Sequence, residues 1–433
     1  MTARTALDDR PREAVIDGFT HGGEGVARVD GKAVFVAGTL PGETVVLRVV
    51  DDRKRWARGE LVEVVESSPD RVTPPCPYVP DCGGCDLQHV AVDAQARLKT
   101  RVVAEQLTQL GGVADPPVED CRQVGPATGY RAQARMHGDG AGRLGFHRAG
   151  SDEVVAVDHC LVLTDHAQAL REAIGDGTGA AEVTIRAGDE GEAVMLTPGP
   201  GPLQLPEEGD FDLRLEQPDG SSVAMRGTGA VTMHVAGIAF EVPPDAFFQV
   251  GPYAAEALVA TVLEVVGADQ SDAATALSGQ VVWDLYAGVG LLSLPLAGAG
   301  ARVLAVEGHP AAAAATERNA GTHDRDVQVV TGPVGRVVGR ARRGEDDRPA
   351  PDVVVLDPPR VGAGERTVDD LVALSPQRVV YVACDVAALA RDTAHLTAAG
   401  YRLSRAVPLE LFPMTHHVEV VAVFDAPNAD TTL

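Results

Sequence analysis

One thiol and two carboxylates stand where a reaction could be carried out. Cys384 lies in Val382-Ala383-Cys384-Asp385, at the end of an apolar stretch from Arg378 to Ala383. Upstream, the apolar run Val353 to Leu356 ends in Asp357-Pro358-Pro359-Arg360. Downstream, Thr415-His416-His417-Val418-Glu419 opens a third apolar run, Val418 to Phe424. Such short apolar runs read as buried strands. In an open α/β sheet, ligands bind outside the carboxyl ends of the strands. A thiol is a nucleophile once deprotonated, and a helix expected from Val386 to Leu396 would favour the thiolate at its N-terminus. A carboxylate at Glu419 can serve as a base. Taken singly, Cys384 reads equally as a buried strand-end cysteine and Glu419 as a surface acid. Their order along the chain, together with the motifs below, makes them specific.

The second constellation is a ligand site. Val281-Val282-Trp283-Asp284-Leu285 reads as a strand, followed by Tyr286-Ala287-Gly288-Val289-Gly290 and a helix from Leu291. Strand, glycine turn and helix form the nucleotide-binding opening of a doubly wound sheet, because glycine lets the backbone approach the ligand and the helix N-terminus faces it. The next strand, Arg302–Val306, ends in Glu307 about 20 residues on, where an acid can bind ribose hydroxyls. An adenosine-containing cofactor follows, with NAD as the competing reading. In Pro244-Asp245-Ala246-Phe247-Phe248-Gln249-Val250-Gly251 the aromatic pair reads as core, and Gln249 is placed to hydrogen-bond a ligand.

The third is a set of cysteines. Cys76, Cys82 and Cys85 are spaced C-x5-C-x2-C in a Pro/Gly-rich loop, and Cys160 follows in Val157-Asp158-His159-Cys160. A Gly/Pro loop has no apolar core of its own in which to bury thiols, so a four-thiolate site for zinc or an iron–sulfur cluster is the reading. Cys121 falls outside the spacing and reads as an ordinary buried thiol.

The elements that must position these groups divide the 433 residues into three parts. Residues 1–70 contain five short strands with glycine turns, an OB-like barrel and hence an oligonucleotide platform. Arg53, Lys54, Arg55 and Arg58 form its basic edge, with Trp56 among them. Residues 71–250 carry the cysteine loop, a helix from Asp93 to Leu110 with Asp93 as N-cap, and a β-rich region from Tyr130. There Arg131 and Arg135 share a strand face, lining either an RNA groove or an exposed sheet. Pro198 to Gly220 reads as a surface loop without chemistry. Residues 251–433 form an α/β domain. The net charge is −25 with only three lysines, so RNA affinity must be local and arginine-borne. No apolar run is long enough to span a bilayer, and the polar N-terminus implies the cytoplasm.

One substrate accounts for both the thiol and the base. Carbon 5 of uracil is too poor a nucleophile to take a methyl group directly. Thiolate addition at carbon 6 makes carbon 5 an enolate that can attack a methyl sulfonium, and a base must then remove the carbon-5 proton so that the thiol can leave. A methyltransferase for an exocyclic amine would not need Cys384. A non-catalytic RNA-binding or assembly factor would need neither group.

These residues resemble the bacterial RNA uracil-5-methyltransferase family over nearly the whole chain. The N-terminal barrel is similar to that family's TRAM domain. The C-terminal part is similar to its Rossmann-like class I methyltransferase domain. The spacing of Cys76, Cys82, Cys85 and Cys160 resembles that of members with a [4Fe–4S] cluster. The resemblance implies that Gln249, Tyr286, Glu307 and Asp357 contact S-adenosylmethionine, beside Gly288 and Gly290, that Cys384 is the nucleophile and that Glu419 accepts the proton. Family members usually have serine before the nucleophile, asparagine after it and asparagine after the Phe-Phe-Gln-Val run. Here Ala383, Asp385 and Gly251 stand there. Members with both cluster and barrel mostly act on 23S ribosomal RNA, whereas tRNA-specific relatives typically lack both. The expected partner is therefore 23S rRNA, with tRNA as the alternative, and the expected state is a monomer. The cysteine loop, far in sequence from the strands that carry the thiol, suggests a structural cluster remote from them.

Overall fold

The computed structural model describes residues 10–206, 209–268 and 275–427. Strands Arg12–Phe19, Glu24–Val29, Lys32–Ala37, Thr44–Asp52 and Trp56–Glu66 close into a barrel. Alternation along them turns Ile16, Val34, Val36, Val45 and Leu47 inward. The basic edge is partly neutralised by its own acids. Arg53 pairs with Asp51 at 2.9 Å and Arg58 with Glu24 at 3.0 Å. Trp56 packs on Phe35 with ring centroids 6.0 Å apart.

The central region forms a seven-stranded sheet. Its middle strands are Glu192–Pro198, Ala180–Ala187 and Gln133–Gly138. The Pro198 to Gly220 segment is not all loop. Its strand Asp212–Glu216 pairs parallel to Glu192–Pro198, and Phe211 and Leu213 enter the core beneath. The acids, prolines and glycines around them hide two inward apolar residues at alternate positions.

The C-terminal part forms an eight-stranded sheet in the order Val327–Thr331, Arg302–Glu307, Val281–Leu285, Val353–Leu356, Arg378–Ala383, Glu419–Asp425, Arg402–Glu410, Arg122–Gln123. The first five are mutually parallel, and Glu419–Asp425 runs antiparallel between Arg378–Ala383 and Arg402–Glu410. Strands buried on both faces explain the unbroken apolar runs. This is a doubly wound α/β architecture with one reversed strand, preceded in the chain by the small barrel. No helix among the described residues is long and apolar enough to cross a membrane.

The final strand, Arg122–Gln123, comes from far upstream, as does the helix Val92–Gln109 that packs beside Val386–Ala398. Asp93 does not cap that helix, since Ala91 is the N-cap residue, and Asp93 pairs with Arg97 instead. Lys99 on this helix meets Glu410 with both side chains almost fully enclosed, at 3% and 2% exposure. Burial pushes both groups toward their neutral forms, and their mutual attraction opposes it. Removing one member strands the other. Lys99→Ala should therefore cost about 3–5 kcal/mol, while Lys99→Met combined with Glu410→Leu should recover most of it. Urea unfolding followed by tryptophan fluorescence measures both. A single-variant loss under about 1 kcal/mol, the size of an exposed ion pair, would contradict this.

Candidate active site

Sheet register brings the Cys384 thiol and the Glu419 carboxylate to the same edge. Ala383 pairs with Val420 across the antiparallel strands, so one step further Cys384 stands opposite Glu419. On the other side, Leu356 pairs with Tyr381 and Leu285 with Leu356. Asp357 and Tyr286, which follow those strands, thus emerge at the same edge. Because Glu419–Asp425 runs backward, its first residue lies where the parallel strands end.

The electrostatics of these groups reflect that proximity. Burial pushes the Cys384 thiol up to about 11, with Glu419 and Asp357 adding to the shift and Arg360 opposing it. Glu419 is buried, has Oε1 without a hydrogen-bond partner, and is raised well above the ordinary carboxylate range by burial and by Asp357, again against Arg360. The expectation that the following helix lowers the thiol's pKa is not met. Asp385 caps that helix itself, accepting from the Ala388 N–H at 2.7 Å, and two acids face the sulfur. His417, pushed down to about 4 by burial with help from His416 and Arg360, is a neutral imidazole next to this group. Arg360 has no role assigned from the sequence, where only its position after Asp357-Pro358-Pro359 hints at one.

The ligand end adjoins it. Phe248, Gln249, Asp284, Tyr286, Gly288 and Asp357 line one pocket. Tyr286 adopts a left-handed backbone with φ of 64°, rare for a bulky residue and concentrated at functional sites. Gly288 has φ of 59°, and a Cβ there would meet open space, as a backbone cradle for a ligand requires. Glu307 organises this turn, accepting from the Gly288 N–H at 2.8 Å and the His309 N–H at 2.7 Å. At Gly290 a Cβ would strike Leu294 at 2.7 Å, so that glycine serves packing. Asp284, unassigned in the sequence reading, is fully buried and bonded to Ser293, while its Oδ1 has no partner. Burial pushes Asp284 up to about 7, and burial with Asp284 as neighbour does the same to Asp357. Asp357 keeps some exposure as a residue, but its carboxyl is enclosed. Raised carboxyls subtract stability as pH climbs from the ordinary value of about 4 to their folded value. A ligand donating to them returns that loss.

Cys76, Cys82, Cys85 and Cys160 line a single cavity of about 150 Å³. The loop reaches Cys160 through tight packing. Gly83 donates to His147 O at 2.9 Å, and a Cβ there would lie 2.8 Å from Ala149 N. The Asp158 N–H donates to the Tyr78 hydroxyl at 3.1 Å. Burial pushes the Cys85 thiol up to about 11, and the other three sulfurs add to it. Among the described residues no three His, Cys, Asp or Glu side chains are grouped as a ready-made site for a single ion. Arg131 and Arg135 line this cavity, and the Arg135 side chain is also exposed and pairs with Glu182 at 3.1 Å. The loop is not remote from the thiol's sheet either, since Leu87 N–H donates to Met414 O at 2.9 Å, five residues before Glu419. Cys121 is buried and stands near Lys99 and Glu410.

The raised Cys384 thiol yields a test. Iodoacetamide labelling of the Cys384 peptide, followed by mass spectrometry, should keep accelerating with pH toward about 11. Glu419→Gln removes a negative neighbour, lowers the thiol's pKa and should speed labelling in mildly alkaline buffer, whereas Arg360→Ala should slow it. Labelling that is fast and level from neutral pH upward would show that the thiol is already ionised in the free protein.

Comparison with known proteins places this geometry. Residues 11–62 match the TRAM domain model and residues 340–426 the tRNA (Uracil-5-)-methyltransferase model. An RNA methyltransferase of Streptomyces coelicolor is 36% identical over 95% of this chain and 92% of its own length. The 23S rRNA (uracil(1939)-C(5))-methyltransferase RlmD of Nitrosococcus oceani is 32% identical over 98% of both chains. A crystal structure of Pyrococcus abyssi tRNA (uracil-54, C5)-methyltransferase in complex with S-adenosyl-L-homocysteine shares the fold, with a TM-score of 0.74 and 24% identity over 95% of this chain and 99% of that one. Two near-full-length relatives above 30% identity and a shared whole-chain fold lead to one conclusion: the chain is an enzyme of the RNA uracil-5-methyltransferase family.

Proposed function

We propose that this enzyme forms 5-methyluridine in 23S rRNA, with Cys384 as nucleophile and Glu419 as the base. The observation that carries the assignment is the register that sets Cys384 opposite Glu419 at the edge where Asp357 also emerges. Gln249, Tyr286, Gly288 and Asp357, which line that pocket, are assigned to S-adenosylmethionine, with Glu307 holding the Gly288 turn and Gly290 packing behind it, and the partnerless Asp284 Oδ1 joins them as an acceptor. When bound, S-adenosylmethionine supplies an electrophilic methyl group.

The chain's own residues do the rest. Cys384 loses its proton to solvent, and the thiolate sulfur bonds to carbon 6 of uracil while the ring's double-bond electrons move to carbon 5. Arg360, the cation acting on both reacting groups, favours the thiolate and the carboxylate. After carbon 5 is methylated, Glu419 takes its remaining proton. Those C–H electrons restore the ring double bond, and the carbon–sulfur bond breaks to release Cys384. A carboxylate raised by burial holds a proton more tightly than an exposed one, which suits abstraction from carbon. A relative named for 23S rRNA, aligned over 98% of both chains, supports the ribosomal target.

We further assign Cys76, Cys82, Cys85 and Cys160 to a [4Fe–4S] cluster. Four thiols around one cavity support this assignment, with zinc as the alternative for such a donor set. Backbone N–H groups of Gly84 on Cys82 and of Val162 and Leu163 on Cys160 are the donors that stabilise cluster sulfurs.

Two measurements follow. With transcripts of 23S rRNA and tRNA plus S-adenosylmethionine, the wild type should make 5-methyluridine in the ribosomal transcript. Cys384→Ala should bind both substrates and make none. Glu419→Gln should accumulate a covalent, methylated enzyme–RNA complex that survives denaturing gels. Methylation by Cys384→Ala would favour exocyclic-amine chemistry, and product on tRNA alone would move the target there. Anaerobically purified protein should be brown and contain iron and sulfide. Cys82→Ala should lose the iron and RNA binding before cofactor binding. Stoichiometric zinc without iron would overturn the cluster assignment.

A further inference from the structure

The loop between strands Arg402–Glu410 and Glu419–Asp425 decides where Glu419 enters the site. Its internal bonds are few: Thr415 donates to Phe412 O through its N–H at 3.3 Å and its hydroxyl at 2.9 Å, and the His417 N–H donates to the Thr415 hydroxyl at 3.3 Å. Met414 adopts φ of 67°, a left-handed conformation that a non-glycine side chain keeps only when its surroundings impose it. Further restraints come from outside the loop. Lys99 Nζ donates to Phe412 O at 3.3 Å, and the Tyr130 hydroxyl donates to Pro413 O at 3.0 Å. Met414 N–H donates to Gln95 Oε1 at 2.8 Å, and its carbonyl accepts from Leu87. All of these act at or before Met414.

Beyond Met414, a side chain from elsewhere in the fold grips the loop. Asp86, directly after Cys85, accepts from the His416 N–H at 2.8 Å through one oxygen and meets the His416 ring Nδ1 with the other. The barrel turn closes over this pair. A Cβ on Gly23 would stand 2.9 Å from the His416 Cβ and 3.0 Å from the Asp86 carboxylate, so that turn approaches without a side chain. The His416 ring lies 4.1 Å from that of His417, and His417 feels Arg360 in the reaction site. Barrel, cysteine segment and base-bearing strand therefore meet at two side chains.

We infer that Asp86 is a positioning residue for proton removal, holding His416 so that Glu419 is presented to carbon 5. This rests on Glu419 being the base. Cys384 and the cofactor residues are carried by other strands, so losing Asp86 should impair the last step and spare the earlier ones. The phenotype is then specific. Asp86→Ala should bind S-adenosylmethionine and RNA as the wild type does and transfer the methyl group in a single turnover. Its steady-state kcat should fall about 10- to 100-fold, the scale of a misplaced reacting group, with methylated covalent complex accumulating on denaturing gels. Asp86→Asn keeps an acceptor for the His416 N–H and should recover much of the rate. His416→Ala keeps that same backbone bond and loses only the ring contact, so it should also fall between the two and provides a second variant should Asp86→Ala fold poorly.

Wild-type kcat in Asp86→Ala would overturn the inference. So would lost cofactor affinity without covalent complex, since Asp86 would then only support the fold. Glu419→Gln assayed alongside separates the two claims. No complex in that variant removes the base assignment itself. Complex there, with none in Asp86→Ala or His416→Ala, removes only the role given to Asp86.

Discussion

The antiparallel pairing of Arg378–Ala383 with Glu419–Asp425 is the constraint on which the site depends. In an all-parallel sheet, the residue that opens a strand lies at the far edge from the residues that close its neighbours. Reversing one strand returns its opening residue to the reactive edge. A slip by one residue would turn Glu419 to the other face of the sheet and separate it from Cys384. The flanking strand Arg402–Glu410, itself pinned by Lys99 and by the added edge strand Arg122–Gln123, holds that register from the other side. Upstream residues thus help fix the register of the candidate site.

The site is electrostatically expensive in the free protein. Asp284, Asp357 and Glu419 are enclosed and raised, and the thiol between them is raised too. Arg360 relieves part of this, and it is exposed. Such an arrangement suits a positively charged methyl donor, which lowers the proton affinity of every acid near it. Positive charge brought near the site would also favour the thiolate at Cys384 and the carboxylate at Glu419. The protein's net charge of −25 is thus no obstacle to binding RNA if contact is confined to a few arginines and a shaped cleft.

Much of this was legible in the chain. The runs ending at Asp357, Ala383 and Glu307 announce themselves because strands buried on both faces leave unbroken Val, Ile and Leu. The glycines at 288 and 290 mark a turn with positive φ, as the backbone shows. The cysteine spacing points to a shared site, and one cavity gathers all four. Other features depend on distances that no local pattern encodes. Asp284 looks like a mid-strand residue, and its importance arises from an unpartnered oxygen beside Asp357. Arg131 and Arg135 could not be assigned because alternation gives a face but not what covers it. The thiol's environment was misjudged because Asp385 takes the helix N-terminus for itself. The closeness of the cysteine loop to Glu419 rests on contacts between residues more than 300 positions apart.

The central claim is that one cysteine carries the uracil while its carbon 5 is methylated. RNA bearing 5-fluorouridine at the target tests it directly, because fluorine cannot leave as a cation and the reaction must stop at the adduct. Digestion and peptide mapping after incubation with S-adenosylmethionine should find the methylated nucleotide attached to Cys384 and to no other cysteine. Methyl transfer with no protein–RNA bond, or a bond at another residue, would contradict the account.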